Sequence, residues 1–199
     1  MTKTSKPKLP KPKALFPDLK NIINHPFDSR QYHQYLRTPK VAIHYSWVIE
    51  FLTLYMGSID TYNAYRRDLE RFCQWAWLFT KKPLDAIDQT DIHAFFEFNK
   101  KPPLAWIGSK NVSRFIKHEQ NLIHNPEWCP FVNIPSKKQR MEHVAHQPSP
   151  SSMRALFATL SSFYNYQLQQ GRLLRNPVQQ LRQKKRLLQT QQQQRVTRK

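Results

Sequence analysis

Residues 58–80 read SIDTYNAYRRDLERFCQWAWLFT, and this stretch decides the fold class. Tyr62, Tyr65, Leu69, Phe72, Ala76 and Phe79 recur at steps of three and four, which draws one apolar stripe along a helix. Asn63, Arg66, Arg67, Arg71 and Gln74, with Glu70 among them, fall on the other side. Ser58 to Thr61 supplies side-chain oxygens that cap a helix start, and Gly57 is the residue that commonly ends the helix before it. A helix over about 59–80 is expected.

Working outward, 41–56 (VAIHYSWVIEFLTLYM) predicts a preceding helix with Ile43, Trp47, Val48 and Phe51 on its apolar face. A third helix is expected at about 90–101, capped by Asp91, burying Ile92, Phe95 and Phe96, and stopped by Pro102-Pro103. The fourth runs from Pro150 to about Gln170, with Ser149 as cap, Pro150 at the first position and Gly171 at the end. Its apolar face is Met153, Leu156, Phe157, Leu160, Phe163 and Tyr164, while Ser151, Ser152, Ala155, Thr159 and Ser162 make its other face small.

Between the third and fourth helices, 102–148 is irregular, with a short helix expected at about 109–123 and then a Pro-bracketed aromatic turn, Asn125 to Phe131. Residues 1–13 alternate Lys and Pro, which favours a mobile basic arm. Phe16, Phe27, Tyr32 and Tyr35 suggest that 14–40 lies as an ordered strap over the core. From Arg172 onward there are nine basic residues and no acidic one, and 179–199 reads as a basic linker that continues into something else. Only three glycines occur in 199 residues, which disfavours tight hairpins and phosphate-cradling loops. The expected class is therefore all-α.

The chain holds 32 Lys+Arg against 13 Asp+Glu, a formal net charge of +19. Self-repulsion of that size is relieved by a polyanion, so nucleic acid leads over an anionic membrane surface or plain solubility. Two cysteines, Cys73 and Cys129, exclude a disulfide framework and suit a reducing compartment. No secretory leader and no run of ~18 apolar residues is seen, so a cytoplasmic setting without membrane contact is expected.

Catalytic motifs are absent: there is no GxSxG, HExxH, CxxC or P-loop pattern. His118, His124, Cys129, His143 and His146 match no structural zinc spacing, so no metal and no cofactor are expected. The basic face of the 59–80 helix has two readings, a DNA-facing surface or a solvated charged face whose arginines pair with Asp68 and Glu70. The small face of the fourth helix equally suits close approach to a phosphate backbone or tight helix packing. Together with the basic arm and tail, these features favour DNA, with Lys184 and Lys185 as further contacts.

Three motifs share an order and spacing: Ser58-x-x-Thr61-x-x-x-Tyr65-Arg66-x-Asp68-Leu69-x-x-Phe72-x-x-Trp75, then Leu84-x-x-Ile87-x-x-x-Asp91-Ile92, then Ser151-Ser152-x-Arg154-x-Leu156-x-x-x-Leu160-x-x-Phe163-Tyr164 with Gly171 and Asn176-Pro177. This order resembles the N-terminal core-binding domain of tyrosine recombinases, the phage-integrase family, over about 58–101 and 149–178. Pro102-Pro103-x-x-Trp106-Ile107 and Trp128-x-Pro130-Phe131 resemble a bacterial subgroup with a longer insertion at 102–148. The resemblance implies a bundle of four to six helices, SAM-like, over 41–178, forming one arm of a clamp on double-stranded DNA, with other protomers on the DNA as partners and association with a bacterial nucleoid. By position it puts DNA contacts on Thr61, Asn63, Arg66, Arg67, Ser151, Ser152, Arg154 and Thr159; the basic helix face adds Arg71. The family's catalytic Arg, Lys, His-x-x-Arg and Tyr have no counterpart here, so the chain itself is not expected to be an enzyme. The competing expectation is a stand-alone basic helical protein that binds DNA, RNA or another protein without recombinase activity.

Overall fold

Four helices lie close to where the sequence puts them: α1 Val41–Thr53, α2 Ile59–Trp75, α3 Gln89–Lys100 and α4 Pro150–Gln169. These come from a computed structural model, which describes residues 10–22, 32–35, 37–118, 121–134 and 146–179. Among the described residues, no helix is long and apolar enough to cross a membrane.

α2 is the central element. Tyr62, Leu69 and Phe72 are buried as its stripe requires, but Arg66, Asp68, Glu70 and Gln74 on the opposite side are buried too. Only a narrow strip containing Asn63 and Arg67 is open to solvent. After Trp75 the helix widens into a π-helical turn, Ala76–Thr80, and closes on Lys81 in the left-handed region at φ 56°. The wider turn keeps Trp77 and Leu78 buried with Trp75 and Ala76.

Local chemistry explains the other helix ends. Asp88, rather than Asp91, caps α3: its carboxylate accepts from the Thr90 and Asp91 amides, and Asp91 answers by accepting from the Asp88 amide. Ser149 caps α4 by accepting from the Ser152 amide at 3.1 Å, and Pro150 takes the first position, where it forfeits no helical bond. Gly171, at φ 68°, ends the chain's turn out of α4 in a conformation that disfavours a side chain.

α1 is rotated from the expected face. Val41, His44, Tyr45, Val48, Phe51 and Leu52 are inward, whereas Ile43 is 55% exposed. The strap supplies the reason: Phe16 and Tyr32 pack on Tyr45, with ring centres at 5.3 and 6.3 Å, and so draw that face to the core. Of the expected strap, Ala14–Phe16, Tyr32 and Tyr35 are all buried; Phe27 lies outside the described residues. Of the expected arm, residues 1–9 lie outside the described residues, but 10–13 are anchored. Lys11 Nζ donates to the Pro126 carbonyl at 2.6 Å, and the Lys13 amide donates to the side chains of Tyr35 and Gln74, each at 3.2 Å.

The all-α expectation is wrong. Residues 107–132 form strands, β1 Ile107–Gly108, β2 Phe115–His118, β3 Asn121–His124 and β4 Phe131–Val132, making the protein mixed α/β. β1 pairs with β4 in parallel, Ile107 opposite Phe131; β2 and β3 are antiparallel, Phe115 opposite His124. The helix expected at 109–123 is not seen among the described residues of that stretch, because Asn111, Val112, Ser113, Ile116, Asn121 and Ile123 are weak helix formers and Ile, Val and Phe suit a pleated surface. The β1–β4 pair packs against the helices through Trp106 and Phe131, whose rings meet Phe98 at 5.3 and 6.2 Å.

Candidate nucleic-acid interface

Arg66 and Arg67 are adjacent, so an α-helix points them about 100° apart. Arg66 turns inward under the strap. Its guanidinium donates to the Pro17 carbonyl at 3.0 Å, pairs with Asp18, and lies over the Tyr62 ring at 5.5 Å. Glu70, one turn on, accepts from the Leu15 and Phe16 amides and forms an ion pair with Arg114 at the entry to β2, where Arg114 also covers the Trp128 ring at 4.9 Å. Burial, with the Arg66 charge adding to it, pulls the Arg114 pKa down to about 9. These groups tie strap, helix and hairpin together and offer no surface to DNA.

Arg67 turns outward. Its side chain is 48% exposed, and its Nε donates to Asp68 Oδ1 at 3.0 Å. Asp68 is buried, and its other oxygen accepts from the Thr159 hydroxyl at 3.1 Å, bolting α2 to α4. One turn along, Arg71 donates from Nε to the Pro130 carbonyl at 2.9 Å, with its guanidinium 4.5 Å from the Phe131 ring centre. Burial lowers its pKa to about 10; Asp68 opposes this and the Arg67 charge adds to it.

These side chains open on a groove of about 370 Å³ between α2, the first turn of α4 and the segments around 132–133 and 146–149. Arg67 and Arg71 face Ser149 and Ser152 across it, with His146 at the rim. The His146 ring packs on Phe131 at 5.0 Å, and burial, followed by the Arg71 charge, lowers its pKa below the usual histidine range. The α4 N-terminus adds the positive end of a helix dipole. The arrangement is built to receive negative charge, and Asp68 is the one carboxylate among the described residues lining it.

The expected contact residues therefore divide. Asn63, Arg67, Ser151, Ser152 and Arg154 are exposed on neighbouring stretches of α2 and α4. Thr61 is half-buried, its hydroxyl 2.9 Å from that of Ser58. Arg71 lies deeper in the same groove. Arg66 and Thr159 are internal structural groups, and reading them as DNA contacts is corrected by their burial and partners. Lys184 and Lys185 lie outside the described residues. The sequence offered Asp68 as a partner for the arginines, which Arg67 takes up, but not the place of His146 in the groove or the pairing of Glu70 with Arg114. The signal for Glu70 was on the page: an acid flanked by arginines on a helix needs a partner if both its sides are covered.

Among the described residues, no group of three or more His, Cys, Asp or Glu side chains gathers where a metal ion could be held. Compared with protein-family models, with curated proteins and with solved structures, the chain matches none.

Proposed function

We propose that this chain is a module that grips duplex DNA through its phosphate backbone, and that it serves as the DNA-binding part of a site-specific recombinase of the tyrosine type. The observation that carries the reading is the groove between α2 and α4, where two arginines and a helix N-terminus converge around one carboxylate that is already engaged. Support comes also from the net charge of +19 and from the exposed polar row Asn63, Arg67, Ser151, Ser152 and Arg154. The link to recombinases rests on the order of the sequence motifs alone and does not depend on an all-helical architecture.

Contacts of this kind read the backbone rather than the bases, so affinity is expected to be moderate and to fall steeply with salt. The test is fluorescence anisotropy with a labelled duplex of ~30 bp, titrated across salt concentrations, where the log–log slope approaches about −1 for each phosphate neutralised. Absence of binding at low salt, or clear preference for single-stranded RNA, removes the proposal.

A further inference from the structure

We propose that the groove between α2 and the start of α4 seats one phosphate group, clamped by the guanidinium groups of Arg67 and Arg71 and closed by the first turn of α4. Three independent observations lead there. First, the charges do not balance. Arg67 and Arg71 share a groove whose one described carboxylate, Asp68, is already bonded on both oxygens, to Arg67 Nε and to the Thr159 hydroxyl. Second, Arg71 is drawn in against the Phe131 ring with its Nε bonded to the Pro130 carbonyl, and its side chain lines the groove with no hydrogen bond from its two terminal nitrogens among the described residues. A guanidinium placed so is costly unless a fixed anion completes it. Third, the opposite wall is the N-terminal turn of α4, where the Ser149 and Ser152 hydroxyls lie 2.9 Å apart. A helix start of this kind favours an oxyanion.

Two planar forks opposite a helix N-terminus match the geometry of a tetrahedral phosphate better than that of a carboxylate. A volume of about 370 Å³ admits one phosphate with its ester links leading out of the open side. The source of that phosphate as a backbone phosphodiester rests on the duplex-DNA reading above; the seat itself does not.

The variant Ser152→Glu separates the two. Ser152 is the third residue after the Ser149 cap and exposed, so Glu there suits the helix dipole and leaves the fold intact. Its carboxylate also enters the groove and occupies the seat. Wild-type protein is expected to gain thermal stability with millimolar inorganic phosphate, against chloride at matched ionic strength, whereas Ser152→Glu gains none. On the labelled duplex, Ser152→Glu is expected to lose about tenfold in affinity and about one unit of salt slope. Arg67→Gln, which alters an exposed group, gives the same direction of change in both assays. If phosphate stabilises wild type and Ser152→Glu equally, there is no seat. If phosphate stabilises wild type alone but both proteins bind the duplex with the same affinity and slope, the seat stands, duplex binding stands, and the backbone phosphodiester is overturned as its occupant. If phosphate stabilises wild type alone and neither protein binds duplex, the seat stands and the DNA reading fails.

Discussion

Arg66 and Arg67 are consecutive residues with opposite roles, and the regions they belong to explain the molecule. Around Arg66, each charge has a partner: Glu70 for Arg114, enclosed beneath Ala14–Phe16, and Asp18, itself largely exposed, for the buried Arg66. Around Arg67, charge is left over. The lesson is that basic residues on a helix report a binding surface only where the fold withholds their counter-ions. In the first region, burial makes the Glu70–Arg114 pair a structural commitment, because losing one member strands the other. In the second, solvent and an external anion share the load.

The largest expected effect comes from breaking the sealed region. Glu70→Gln leaves Arg114 buried without its carboxylate and weakens the acceptor for two strap amides. Removal of one member of a buried pair costs about 3–5 kcal/mol, a large share of the roughly 5–15 kcal/mol that holds an ordinary domain together. Urea unfolding of the variant measures it. A loss under about 1 kcal/mol would mean the pair is hydrated and the contrast between the regions is overdrawn.

Acid probes the core at His44. His44 is wholly buried, its Nδ1 accepting from the Leu84 amide at 3.1 Å, and burial lowers its pKa to about 4 despite the opposing charge of Asp85. The unfolded ring takes up a proton near 6.5, so the folded state is favoured above that pH and is progressively disfavoured as pH falls towards 4. The shift corresponds to about 2–3 kcal/mol, complete near the folded pKa. His44→Gln, which retains an acceptor, should flatten this part of the stability profile relative to wild type. Parallel profiles for the two proteins between pH 6.5 and 4 would show that His44 does not titrate as its burial requires.

The paired substitutions Arg66→Ala and Arg67→Ala test the comparison itself. Arg66→Ala removes bonds to Pro17 and Asp18 and should cost about 1–3 kcal/mol of stability, with duplex affinity of the folded protein nearly unchanged. Arg67→Ala should cost less, about 0.5–1.5 kcal/mol, because buried Asp68 loses one bond but keeps the Thr159 hydroxyl. It should weaken duplex binding about fivefold and lower the salt slope by about one. A crossed result, with Arg66→Ala the weaker binder and Arg67→Ala the less stable protein, would reverse the assignment of inner and outer faces.

How much of this could be read in advance depends on distance along the chain. The helix ends were legible, because caps, prolines and glycines act within four residues: Ser149, Pro150 and Gly171 bound α4 as expected. The register of α1 and the role of Arg66 were not, because the groups that settle them come from the strap; Asp18 lies 48 residues before Arg66. The strands escaped because two and four residues are too short to show a period of two against an irregular background. The groove was half legible. Arg67, Arg71 and Ser152 were named, yet their meeting depends on Asp68 bonding Thr159 across 91 residues, and His146 is held there by its ring contact with Phe131.

The finest distinction concerns position against charge at the groove's edge. Asn63 sits four residues before Arg67, on the same exposed strip of α2, and carries no charge. If that strip meets the backbone, Asn63 donates one neutral hydrogen bond to a phosphate or sugar oxygen, a contribution of about 0.5–1.5 kcal/mol. Asn63→Ala should therefore weaken duplex binding about two- to tenfold. It releases no counter-ion, so the salt slope should stay at the wild-type value, unlike the loss at Arg67. Equal affinity for Asn63→Ala and wild type would confine the contact to Arg67 and the α4 turn. A reduced slope would show instead that removing the amide moves Arg67, which makes the strip a single coupled surface.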